Sequence, residues 1–159
     1  MRRHAALIPL THDHHHGLAQ SRRLQLASEL SAEERLVLAQ EFLTFFDHDT
    51  LEHFRNEEEV VFPLVVGEPE AEEHLSQLML EHLRIHAFVG ALRAAVERKD
   101  VDAPALEELG TLLAGHIRYE EKVLFPFIER AVPDVLLRDI SLPARNRSQA
   151  SMHPMEVLR

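Results

Sequence analysis

The sequence predicts an all-α protein, folded as an antiparallel up-down-up-down bundle of four helices. Three observations predict it. The chain has 159 residues, which is one ordinary domain by length and enough to bury a sizeable core. It holds only 5 glycines, one tyrosine and no tryptophan, and it is rich in Leu, Ala and Glu. Four long segments repeat apolar residues at helical spacing, with short breaks between them that suit antiparallel neighbours.

The first helix is expected over residues 11–28, after the short apolar patch of MRRHAALIPL that Pro9 interrupts. The second opens at Ser31-Ala-Glu-Glu34, a capping box in which hydroxyl and carboxylate satisfy free backbone N–H groups. Its apolar positions are Leu38, Phe42, Phe45, Phe46, Val60, Val61 and Leu64, of which Phe46, Val60 and Leu64 share one stripe, and it ends near Pro63 or in Val66-Gly67-Glu68-Pro69. The third starts after Pro69 with Glu70, Glu72 and Glu73 in its first turn, where negative charge suits the helix dipole, and reaches about Lys99. Asp102-Ala103-Pro104 opens the fourth, which reaches about Ala131. Residues 1–135 then form the bundle. Residues 136–159 read as a C-terminal tail, polar from Ser141 onward, either mobile or docked on the bundle.

Composition narrows the chemistry. There are 12 histidines and no cysteine, so disulfides, thiolate metal sites and cysteine nucleophiles are excluded. Any metal must be held by imidazole and carboxylate. The net charge of −10 disfavours nucleic acid as a partner. No apolar run approaches the roughly 20 residues that span a bilayer, and no secretory leader is evident, so a cytoplasmic protein is expected.

An internal repeat places that chemistry. Residues 53–64 read HFRNEEEVVFPL and residues 116–127 read HIRYEEKVLFPF, an offset of 63. Each copy carries a His and a Glu four apart: His53 with Glu57, and His116 with Glu120. Residues four apart share a helix face about 6 Å apart, so each pair can grip one ion or two adjacent ions. Both pairs fall on the stripe that should be apolar. A buried, unpartnered carboxylate costs several kcal/mol, so these positions call for a cation.

The third helix offers His82 and His86, also four apart, on a stripe with Leu75, Met79, Val89 and Val96. The first offers the run His12-Asp13-His14-His15-His16. Sliding the first helix onto the third at an offset of 68 sets Asp13 on Glu81 and His14 on His82, and leaves Leu18 opposite His86. His14 is then the inward residue, with His15 the alternative. Asp13 and Glu81 could orient an imidazole N–H, and Glu58, Glu59 and Glu121 fall on the solvent side or behind the ligands. His4, His48, His74 and His153 read as surface histidines. Five histidines and two glutamates suit two ions bridged by the carboxylates, with iron the first choice and manganese or zinc possible substitutes. Two six-coordinate ions offer about twelve positions; these donors and an oxide or hydroxide bridge leave roughly one for an external molecule.

The ordered set of a lone His, then HFxxEE, HxxxH and HxxxE resembles the hemerythrin-like, or HHE cation-binding, domain over roughly residues 10–130. LTHDHHHGL and the paired EExVxFP segments are similar to bacterial members. The resemblance implies a four-helix bundle with a non-haem di-iron centre, held by His14, His53, Glu57, His82, His86, His116 and Glu120. It further implies a small-molecule ligand such as O2, NO or peroxide, or iron itself, for sensing, storage or detoxification. An oxidase, peroxidase or NO-reducing enzyme using the same site is the alternative. The O2-carrying members place an Asp five residues after the fourth-helix His. Here Glu120 stands at four and Glu121 at five residues after His116, and the repeat favours Glu120.

Overall fold

The protein is described by a computed structural model over residues 2–142. Residues 143–159, most of the expected tail, lie outside the described residues, as does His153. Every regular element among the described residues is helical, and none is long and apolar enough to cross a membrane.

Helix α1 spans Ile8–Gln25 and begins before the expected Thr11. Pro9 does not break it. Pro sits in its first turn, where no intrahelical N–H bond is lost. A 3₁₀ turn, Ala5–Leu7, leads in and is capped by the His4 ring, which accepts from the Ala6 N–H at 3.2 Å. Helix α2, Ala32–Phe45, opens with the expected capping box. The Ser31 hydroxyl accepts from the Glu34 N–H at 3.2 Å, and the Ser31 N–H donates to the Glu34 carboxylate at 2.7 Å.

The second rod does not stop at α2. A π-turn over Phe46–Thr50, helix α3 at Leu51–Asn56, a second π-turn over Glu57–Val61 and a 3₁₀ turn at Phe62–Val65 follow without a break. Gly67, at φ 93°, makes the reversal that a side chain would resist. Helix α4, Pro69–Glu97, is the longest element, and its 29 residues span about 44 Å. The fourth rod is helix α5 at Ala103–Tyr119, a π-turn over Glu120–Leu124 and helix α6 at Phe125–Ala131. Helix α7, Asp134–Arg138, falls where the tail was expected to begin, and buries Leu137.

The two π-turns that begin at Glu57 and Glu120 correct the predicted stripes. A π-turn inserts an extra residue into the helical repeat. Beyond it the buried face therefore passes through Val61 and Val65 rather than Val60 and Leu64, and in the fourth rod through Leu124.

Two apolar cores result, one at each end of the rods. The first gathers Leu24, Phe42, Phe54, Ile85, Leu113 and Ile117. The second gathers Leu10, Val61, Leu78, Leu124, Phe125 and Ile128. Each rod passes from one core to the other across a buried polar residue: His14, Glu57, His82 and Glu120. Dry packing on both sides thus fixes the polar layer between them.

Helices α1 and α5 approach too closely for side chains at two glycines. A Cβ on Gly17 would meet Ile117 Cδ1 at 2.7 Å, and one on Gly110 would meet the Ser21 carbonyl oxygen at 2.7 Å. Gly110→Ala is therefore expected to cost about 1–3 kcal/mol in chemical denaturation, because backbone blocks the added methyl. Gly115→Ala, in the same helix with nothing within 4 Å, should instead stabilise by about 0.5–1 kcal/mol. Equal effects at the two sites would refute this helix contact.

Candidate metal centre

Six of the seven sequence-selected residues converge: His14 from α1, His53 from α3, Glu57 from the π-turn after it, His82 from α4, His116 from α5, and Glu120 from its own π-turn. One donor atom from each of His14, His53, Glu57 and Glu120 lies within 4.8 Å of the others. The same holds for Glu57, His82, His116 and Glu120. The two groups share both glutamates, and Glu57 and Glu120 are 0% exposed.

The carboxylates divide their oxygens between the groups. Glu57 Oε1 is 2.9 Å from His53 Nε2 and 3.6 Å from His14 Nε2, while Oε2 is 3.4 Å from His82 Nε2. Glu120 Oε2 is 3.1 Å from His14 Nε2, while Oε1 is 3.3 Å from His116 Nε2. The imidazoles meet in pairs, His14 Nε2 with His53 Nε2 at 3.0 Å and His82 Nε2 with His116 Nε2 at 3.1 Å.

The opposite edge of every ring is held by a carboxylate from another rod. His14 Nδ1 donates to Glu121 at 2.6 Å, and His53 Nδ1 to Asp13 at 3.2 Å. His82 Nδ1 donates to Glu58 at 2.6 Å, and His116 Nδ1 to Glu81 at 2.8 Å. A carboxylate can only accept, so each Nδ1 carries a proton and each ring turns its Nε2 inward, free to meet a metal ion or a second proton. Four Nε2 atoms and four carboxylate oxygens then face one another. Neither oxygen of Glu57 or Glu120 has a hydrogen-bond partner. An anionic, lone-pair-lined cage of this kind is stable only around cations, whether metal ions or protons.

Protons leave their mark on the metal-free charge balance. Burial, the largest effect, pulls the His53 ring down, but the Glu57 and Asp13 carboxylates outweigh it and raise its pKa to about 9. His14 is likewise raised well above its ordinary value, with burial opposed by Glu120, Glu121 and Glu57, and His82 is raised against burial by Glu57. Burial pushes the Glu57 carboxyl up, yet His53, His14 and His82 hold it well below the usual range. Glu121, pushed up by burial, is held at about 2 by His14, Thr11 and Arg3.

The seventh residue, His86, does not reach the cage. It is exposed and turns its ring edgewise to Phe46 and Phe54 at 5.6 and 6.0 Å. The buried stripe of α4 runs through Ala71, Leu78, His82, Ile85, Val89 and Leu92, not through Met79, which is 38% exposed. That stripe lies on one side of His82, whereas His86 is rotated about 40° to the other. The offset of 68 already matched His86 with Leu18, where α1 has no donor. His15 is exposed, so α1 turns His14 inward and not His15.

Glu58 and Glu121 take the second of the two expected places, behind the ligand rings, and Glu59 stays exposed. Asp13 and Glu81 do orient imidazoles, but on other rods and not beside their own neighbours. The repeat carried the missed signal: offsets of 63 and 68 map Glu58–His82 onto Glu121–His14, and Glu81–His116 onto Asp13–His53. His74, read as a surface residue, hydrogen-bonds the Tyr119 hydroxyl at 2.6 Å, and His4 pairs with Asp134 at 3.1 Å.

A narrow cleft reaches the cage between α1, the second rod and α5. Gly17, Thr50, Phe54, Leu113 and Ile117 line it, together with the His14, His53 and His116 rings.

In the metal-free chain the raised His53 pKa makes the folded state bind protons more tightly than the unfolded state. Its stabilisation is complete below about pH 6.5 and is lost as pH rises through about 9, worth about 3 kcal/mol. Melting temperature of the chelated protein should therefore fall over that interval. A flat or rising profile there would overturn this charge balance.

The hemerythrin HHE cation binding domain, as a family model, matches residues 6–128. No curated protein and no solved structure gives a significant match.

Proposed function

Because the chain belongs to the hemerythrin HHE cation-binding domain family, we propose that its buried cage holds two iron ions for binding a small molecule. The observation that carries this reading is the division of the Glu57 and Glu120 oxygens between two histidine pairs, with all four oxygens lacking hydrogen bonds. Carboxylates so placed bridge two cations. His14 and His53 would hold one ion, and His82 and His116 the other. The four rods then run alternately up and down around the pair, and Mn or Zn can substitute.

The six residues offer four nitrogens and four oxygens, against about twelve positions on two octahedral ions. Bound there, an iron pair supplies Lewis acidity and a redox change to O2, NO or peroxide. The chain's own residues do the rest. Asp13, Glu58, Glu81 and Glu121 fix the tautomer and aim of the rings, which raises their basicity. Phe54 stacks on His82 at 3.7 Å and Phe125 on His14 at 5.4 Å, holding ring planes and excluding water. The cleft beside His14 and His53 admits only a small ligand. Sensing, storage or detoxification of that molecule, or of iron, are the corresponding roles. Turnover of the same ligand is the second reading, favoured by the carboxylates of Asp13 and Asp49 lining the cleft.

Aerobically purified protein should contain about two irons per chain by elemental analysis, two being the number of ions the split carboxylates bridge. His82→Ala should lose metal and lower the melting temperature, since binding is coupled to folding. His86→Ala should keep its iron, because its ring lies outside the cage. Iron lost from His86→Ala and retained in His82→Ala would invert the ligand set. Reversible spectral change on adding and removing O2 or NO supports binding, and steady consumption of peroxide supports turnover.

A further inference from the structure

We propose that His12 and His16, with His15 beside them, form a second metal site on the outer face of α1. It is open to solvent, separate from the buried cage, and suited to a divalent transition cation such as Ni2+, Zn2+ or Cu2+. Helix α1 is regular from Ile8 to Gln25, with no π-turn to disturb its repeat. His12 and His16 therefore share one face, with their Cβ atoms about 6 Å apart. Measured around the helix from His14, they lie at about 160° and 200°, opposite the cage. All three outer histidines are exposed. His12 and His15 stack with ring centres 6.4 Å apart.

Among the described residues none of these three rings makes a hydrogen bond or ion pair, whereas every cage ring is held at Nδ1 by a carboxylate. The outer rings thus keep both nitrogens for an incoming ion. Fold stability does not account for them: histidine is a weaker helix former than Ala, Lys or Glu, and all three positions are exposed. Two imidazoles four apart on one helix face are a working cation chelate. Imidazole suits Zn, Cu, Fe and Ni, and the net charge of −10 draws cations to the surface. Bringing His12 from its stack on His15 toward His16 is a rotamer change of an exposed side chain.

With two or three protein donors and water completing its shell, an ion here exchanges readily. It also waits on the helix that supplies His14 to the cage, which raises the local metal concentration there. That delivery role rests on the reading of the cage as a metal centre, and the surface site does not.

The test adds Ni2+ below one equivalent to the full chain and follows histidine ring signals by NMR. The His12 and His16 signals should broaden first. His12→Ala/His16→Ala, both exposed, should fold normally and weaken this binding about tenfold or more by removing the chelate. Broadening that falls equally on His4 and His48, or that the double substitution leaves unchanged, overturns the site. Iron uptake by the chelated protein supplies the second readout. The double variant should reach the wild-type iron content more slowly, and equal rates overturn delivery. If neither protein takes up iron while the Ni2+ effect persists, the buried-centre reading fails and the surface site stands.

Discussion

Two carboxylates at 0% exposure, with no hydrogen bond to either, set the terms for the rest of the molecule. Glu57 and Glu120 lie between two apolar cores, where an uncompensated charge costs several kcal/mol. Four inward imidazole nitrogens surround them, and those nitrogens are electron-rich as well. Only positive charge reconciles such a layer with its burial. Protons supply it when metal is absent, in keeping with the raised His14, His53 and His82 and the lowered Glu57. Metal ions do so with better geometry, because each carboxylate already splits its oxygens between two histidine pairs.

The outer carboxylates extend this constraint across the whole fold. Each ring stands on one rod, and the carboxylate that fixes its Nδ1–H comes from another. The four bonds thus tie α1 to the second and fourth rods, and α4 to the same two. Glu121 is anchored further by Arg3 at 2.7 Å and by the Thr11 hydroxyl at 2.7 Å, so the residues before α1 also serve the cage. Arg3 in turn lies 5.2 Å over the Phe125 ring that stacks on His14. Correct ring aim and correct helix packing become one requirement.

The arrangement is close to two-fold in its chemistry, and the sequence shows why. One half contributes a lone histidine preceded by an acid, Asp13-His14 or Glu81-His82. The other half contributes His-x-x-x-Glu-Glu, at His53 or His116. Two copies of each close a symmetrical cage of four histidines and two glutamates. His86 has no counterpart in that scheme, and the helix turns it to solvent. A spacing of four was read as a ligand pair because such a pair shares a face. The face of α4 that is buried lies to the other side of His82, and packing against two cores decided that.

Much was thus fixed before any folding was known. Helical periodicity, capping chemistry and the twelve-residue repeat determined an all-helical chain, its element boundaries to within a few residues, and six of the seven selected residues that the fold brings together. These are local properties, set by backbone geometry and by residues close in sequence. Tertiary structure alone decided three further things. It chose Glu58, Glu81, Asp13 and Glu121 as partners of particular rings, because those bonds join rods 24 to 107 residues apart in sequence. It left His86 exposed and outside the cage, because burial depends on what a helix packs against. It shifted the stripes past Glu57 and Glu120 by one residue, because a periodicity of 3.6 cannot foresee a π-turn at the point where a glutamate must reach into the centre.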